Sequence, residues 1–142
     1  MKDVSLKELI PLIFTMNRIV REQVAGHGKM DALSLVQLKI LSLVIEKGTP
    51  KMKEIADSLF ITLPSATTAI DRLVRDGQLN RITDETDRRI VRLEITDKGK
   101  SVYNERYKDV SRRMNEVLSE LDMQEITDFA QILTKIINSH KK

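Results

Sequence analysis

The chain has 142 residues, 41% of them hydrophobic and 32% charged, with 24 Lys and Arg against 21 Asp and Glu and a formal charge of +3. That length fits a single domain, and the mix of apolar and charged residues argues for a packed globule over disorder. The lack of any cysteine excludes disulfides, thiolate nucleophiles and thiol-based redox sensing.

The opening stretch MKDVSLKELIPLIF has neither the apolar core nor the small-residue cleavage site of a signal peptide. No apolar run approaches the roughly 20 residues that a membrane span needs, so the expected location is the cytoplasm. Ser5 and Glu8 have the spacing of a capping box, and a helix is expected from there to GHG at 26–28. Pro11 should bend it or delay its regular start. A second box, Ser34 with Gln37, predicts a helix closed by Gly48. That helix is apolar on nearly every side, including Leu38, Ile40, Leu41, Val44 and Ile45, and so belongs at the centre of the fold.

Two short helices come next. One carries Met52, Ile55, Ala56 and Leu59 on a stripe. After the link FIT, the other carries Ala66, Ala69, Ile70, Leu73 and Val74, with Thr62 as N-cap, Pro64 in the first turn and Gly77 at the end. Ala56 is small where two helices must cross closely, and the pair reads as a helix-turn-helix. A hairpin follows, its strands NRIT and IVRLEI flanking the tip DETDRR. Thr96 then caps a long helix in which Tyr103, Tyr107, Val110, Met114, Val117 and Leu121 alternate spacings of four and three, a heptad-like seam. Asp122 with Glu125 opens the last helix, which leaves His140 in a frayed tail.

Catalysis is not expected. His27 and His140 have no partner at ligand or triad spacing, and the five glycines form no phosphate-cradling loop. DETD lacks the central glycine and terminal glutamate of a calcium loop. No metal or cofactor is predicted. The helix-turn-helix offers a different chemistry. The outward face of its second helix holds Ser65, Thr67, Thr68, Asp71, Arg72 and Arg75, with short hydroxyl groups near the start for base edges or phosphates and arginines further on for backbone charge.

A two-stranded ribbon directly after such a pair makes a winged helix, mainly α with a small β-hairpin wing. Its tip lies beside the duplex when the second helix enters the major groove. Arg88 or Arg89 would then reach a minor groove, where a narrow A·T-rich stretch concentrates negative potential, and Asp87 would aim the guanidinium through a salt bridge. Net charge does not decide the matter, because residues 51–100 hold ten Lys and Arg against nine Asp and Glu. Placement of the basic groups must count for more than their sum.

The run from MKEIADSLF through RLVRDGQLNRITDETDRRIVRLEITDKG resembles the MarR family of bacterial transcription regulators. Asp87 and Arg89 match its Asp-x-Arg wing signature, and residues 93–99 match the Leu-x-Ile-Thr-x-x-Gly that leads into the next helix. The resemblance spans the chain in helix order and is densest over residues 52–99. It implies one domain over 1–142, with a winged-helix lobe at 33–96 and dimerisation helices at 3–30 and 97–140 that intertwine in a homodimer. It also implies that Ser65, Thr67 and Thr68 face the major groove and Arg89 the minor groove. Small aromatic ligands would bind where the DNA-binding lobe meets the dimerisation helices, near Met16, His27, Met30 and Tyr107.

Thr68 departs from the family, in which that position is often basic, and the missing cysteine removes the thiol-sensing branch. The function expected is a sequence-specific repressor, dimeric on a near-palindromic operator and released by a small aromatic ligand. The alternative is a winged-helix dimer that acts through protein contacts with little DNA affinity. A small-molecule carrier would not explain the wing.

Overall fold

Polar side chains at the helix ends set most of the boundaries in the computed structural model, which describes residues 3–25 and 32–141. Helix α1, Leu6–Ile19, begins where the Ser5 backbone N–H and hydroxyl donate to Glu8 Oε2 at 2.9 and 3.1 Å. Those two bonds, the backbone one first, hold the Glu8 carboxyl below its ordinary range. Pro11 lies inside α1 and does not delay its start; the helix runs past it into a π-helical turn, Val20–Ala25. The end expected at 26–28 lies outside the described residues.

Helix α2, Ala32–Lys47, starts two residues ahead of the cap expected at Ser34. Gln37 is buried, at 8% exposure. Helix α3, Met52–Leu59, opens with the Lys51 N–H donating to Glu54 Oε1 at 3.3 Å. In α4, Leu63–Arg75, Thr62 accepts the Ser65 N–H at 3.3 Å. Helix α6, Met123–His140, carries the expected box, with Asp122 N–H on Glu125 Oε2 and Glu125 N–H on Asp122 Oδ1, both at 2.9 Å. His140 is the last residue of that helix, its Nδ1 2.9 Å from the Ile136 carbonyl, and not part of a frayed tail.

The stops are left-handed residues. Gly77 at φ 73° closes α4 in a Schellman arrangement, its N–H on Val74 O and the Gln78 N–H on Leu73 O at 3.0 and 2.8 Å. Phe60 plays the same part for α3 at φ 54°, with 72% of its surface exposed. An aromatic residue there is strained by Cβ crowding that glycine would escape.

Helices α2, α3 and α4 pack with the hairpin around one core of Ile40, Leu41, Val44, Ile55, Ala56, Ala66, Ala69, Ile70, Leu73, Leu79 and Leu93. Ala56, Ala66 and Ala69 are buried where α3, α4 and α2 meet, as close helix crossings require. Ile45 is the exception on α2 and stays 44% exposed. Strands β1, Leu79–Thr83, and β2, Val91–Ile95, pair antiparallel with Leu79 opposite Ile95 and Ile82 opposite Arg92. Leu79 and Leu93 share the inner face and plug the core.

Helix α5, Asp97–Val117, stops before Leu121, so the last member of the expected seam lies beyond the helix. Tyr103 packs on the core and stacks on Tyr107, with ring centroids 5.6 Å apart. The chain divides into two compact units, Met1–Val24 with Ser111–Lys142 and Ala25–Val110, the boundary falling within α5. Among the described residues, no helix is long and apolar enough to cross a membrane.

The wing is fastened to the start of α5 by Thr96. Its N–H donates to Gln78 O at 3.1 Å, its hydroxyl donates to Gly77 O at 2.6 Å, and the same oxygen accepts the Gly99 N–H at 3.0 Å. This brings Gly99 so close that an added Cβ would lie 2.2 Å from Gln78 O and 2.8 Å from Ile95 Cγ1. The partner on one side is backbone already held by Thr96, so it cannot yield cheaply. Gly99→Ala should cost about 1–3 kcal/mol, read as a lower urea midpoint of unfolding; an unchanged midpoint would mean that the α5 start can slide away.

Candidate nucleic-acid interface

The hairpin tip is organised by the Asp84 carboxylate. Its Oδ2 accepts the Thr86 hydroxyl at 2.7 Å and the backbone N–H groups of Thr86 and Asp87 at 3.2 and 3.1 Å. Its Oδ1 accepts the Arg92 Nε–H, and Arg92 Nη1 donates to Thr49 O at 2.9 Å in the α2–α3 link. The same link supplies Pro50 O to the Leu93 N–H at 2.9 Å. The tip is thereby tied to β2, and β2 to the helical body. Arg92, first of all, and then the Thr86 hydroxyl hold the Asp84 carboxyl far below the usual carboxylate range.

Asp87 and Arg89 sit beyond that anchor. Asp87 takes a fork from the guanidinium, Nε on Oδ1 and Nη2 on Oδ2, each at 3.1 Å, and the Arg89 backbone N–H adds a third bond at 3.0 Å. These Arg89 bonds hold the Asp87 carboxyl below its ordinary range. The Arg89 side chain is nevertheless 91% exposed, so the pairing fixes its direction without burying its charge. The salt bridge expected from the sequence is present. Arg88 is exposed on the neighbouring turn and, like Arg72 and Arg75 on α4, forms no ion pair among the described residues.

On α4 the exposed residues include Leu63, Pro64, Ser65, Thr68, Arg72 and Arg75, while Thr67 is half-buried. Asp71 pairs with Arg81 of β1, which joins this helix to the wing. The eight predicted DNA-facing positions Ser65, Thr67, Thr68, Arg72, Arg75, Asp87, Arg88 and Arg89 therefore lie in one unit, on two elements linked by a salt bridge. Of the predicted ligand residues, His27 and Met30 lie outside the described residues. Met16 is half-buried on α1 in the first unit, and Tyr107 is 54% exposed on α5 in the second. No cluster of three or more potential metal ligands occurs among the described residues.

Sequence reasoning missed Asp84, Arg92 and the Asp71–Arg81 pair. The register places Ile82 opposite Arg92, and Asp84 is two residues along from Ile82 on the same face, a diagonal neighbour within reach of a long side chain. That signal exists only once the register is known. The depressed Asp84 carboxyl binds protons less readily folded than unfolded, so its contribution to stability is complete above about pH 4, the unfolded value, and fades as pH falls below it. Urea unfolding of Asp84→Asn should show a deficit against the parent at pH 6 that shrinks below about pH 4. A deficit independent of pH would place the effect elsewhere.

Comparisons with known proteins identify the family. The MarR family model matches residues 33–91. An uncharacterised HTH-type transcriptional regulator of Bacillus subtilis, YfiV, is 31% identical over 80% of this chain and 72% of its own. Among solved structures, a mutant of MarR from E. coli complexed with operator DNA has a TM-score of 0.73 at 23% identity, covering 94% of this chain and 99% of that one. BpsR of Bordetella bronchiseptica, whose DNA binding is regulated by 6-hydroxynicotinic acid, has a TM-score of 0.73 at 18% identity, covering 92% and 97%. Winged fold, wing signature and relatives converge: the chain belongs to the MarR family of transcriptional regulators, not to a family of enzymes.

Proposed function

We propose that the protein represses transcription as a homodimer on a near-palindromic operator and is released by a small aromatic ligand. The observation that carries the DNA reading is Arg89, held by Asp87 in a two-bond fork yet almost fully exposed at the end of an anchored wing. A guanidinium fixed in direction and left in solvent is ready to enter a narrow minor groove, while Arg72 and Arg75 meet phosphates beside α4 in the major groove.

Dimerisation is supported by apolar surface that one chain leaves bare. On α1, Leu6, Leu12, Ile13 and Phe14 are 57–75% exposed, and on α6 Ile132, Ile136 and Ile137 are 49–57% exposed. Exposed apolar faces on two helices mark an interaction surface, and a second copy of the same chain is the partner that would cover both. A symmetric pair would set two recognition helices one DNA turn apart, roughly 34 Å. A ligand that altered this separation would prevent both half-sites from being engaged. The operator complex of MarR and the ligand control of BpsR support these two parts of the reading.

Duplexes selected in rounds from a random pool should converge on a palindrome, bound with a steep loss of affinity as salt rises. Arg89→Ala should weaken that binding roughly tenfold or more and lower the salt slope by about one. Weak binding without a motif, indifferent to Arg89→Ala, would shift the reading to a winged-helix dimer working through protein contacts.

A further inference from the structure

The start of α4 carries no side chain able to fork onto a base edge. Residues 62–70 read TLPSATTAI, without Arg, Lys, Asn or Gln. Guanine is read by paired donors from Arg or Lys, and adenine by Asn or Gln, so both of these pairings are missing from the first two turns.

The short hydroxyl groups are also largely committed. Thr67 donates to Leu63 O at 2.8 Å, Thr68 donates to Pro64 O at 3.1 Å, and Thr62 donates to Ser65 Oγ at 2.9 Å. Among these four hydroxyls, only that of Ser65 keeps a proton to give. Further along, Asp71 is engaged by Arg81 and is drawn toward the wing. Apart from the Ser65 hydroxyl, what remains toward a groove at the start of α4 is carbon. Leu63 is 48% exposed, and Pro64 and Thr68 are exposed. With its hydroxyl turned to the helix backbone, Thr68 offers its γ-methyl.

We propose that Leu63, Pro64 and Thr68 determine operator specificity by packing against thymine 5-methyl groups in the major groove, so that each half-site is read through thymine rather than guanine. The thymine methyl is the one apolar group on the floor of the major groove and the natural counterpart of such a surface. The inference rests on the DNA-binding reading above. It also agrees with the wing, because a guanidinium held for a narrow minor groove favours A·T-rich flanks.

The test uses the full-length dimer and the duplex obtained by selection. Each thymine of one half-site is replaced in turn by deoxyuridine, which deletes the 5-methyl and leaves every hydrogen-bonding group in place. At one or two positions per half-site, affinity should fall roughly threefold to fivefold, the worth of one buried methyl. At those positions Leu63→Ala or Thr68→Ser should abolish the difference between thymine and deoxyuridine. Thr68→Ser removes only the γ-methyl, which keeps the helix and its hydroxyl bond. A selected motif that tolerates deoxyuridine throughout, or whose information resides in guanines, overturns the thymine inference and leaves the DNA reading standing. Failure to select any motif overturns both.

Discussion

The Asp84 carboxylate accepts from four donors, Arg92 Nε, the Thr86 hydroxyl and the N–H groups of Thr86 and Asp87, and Arg92 continues to the Thr49 carbonyl. A hairpin of two five-residue strands has little intrinsic stability, and its tip, DETDRR, contributes nothing apolar to the core. Order at the tip has to come from polar contacts. With its side chain only 10% exposed, Asp84 is shielded from competing water, so these contacts can hold. The placement of Arg89 depends on that anchor, because Asp87 lies in the turn that Asp84 closes.

The same economy explains how a winged helix works with a charge of only +3. Asp71 and Asp84 each engage an arginine, Arg81 and Arg92, in holding the wing to the body. Those charges cancel in the total but serve the structure. Arg72, Arg75 and Arg88 stay outside such pairs among the described residues, and Arg89 is paired while exposed. Acidic residues inside the lobe are therefore compatible with a DNA-facing surface, and the near-even count over residues 51–100 conceals a division between structural and outward-facing cations.

Local signals with short range were legible in the sequence. The caps at Ser5, Thr62, Thr96 and Asp122, the stops at Gly48 and Gly77 and the core set from Ile55 to Leu73 occur as read, and each strand starts one residue from where it was read. These depend on residues three or four apart or on simple periodicity. Features that depend on tertiary placement were not legible. Ser34 and Gln37 have the spacing of a capping box, but α2 begins two residues earlier, at Ala32. Phe60 takes the left-handed position without the glycine that would have announced it. Arg92, on the second strand of a short hairpin, clamps Asp84 and Thr49, which no local pattern in the sequence announces. The residues proposed to face DNA were nominated from spacing and resemblance, whereas the commitment of the Thr67 and Thr68 hydroxyls to backbone carbonyls required coordinates.

In the proposed complex the wing tip enters the minor groove on both sides of a symmetric operator. Because the chain has no cysteine, Glu85→Cys gives a single attachment point for an iron chelate at the exposed tip. Hydroxyl-radical cleavage of the selected duplex by the labelled protein should give two clusters of cuts, symmetric about the operator centre and offset between strands as minor-groove attack requires. Cuts that are absent, evenly spread or confined to one side of the centre would rule out that placement of the wing tips.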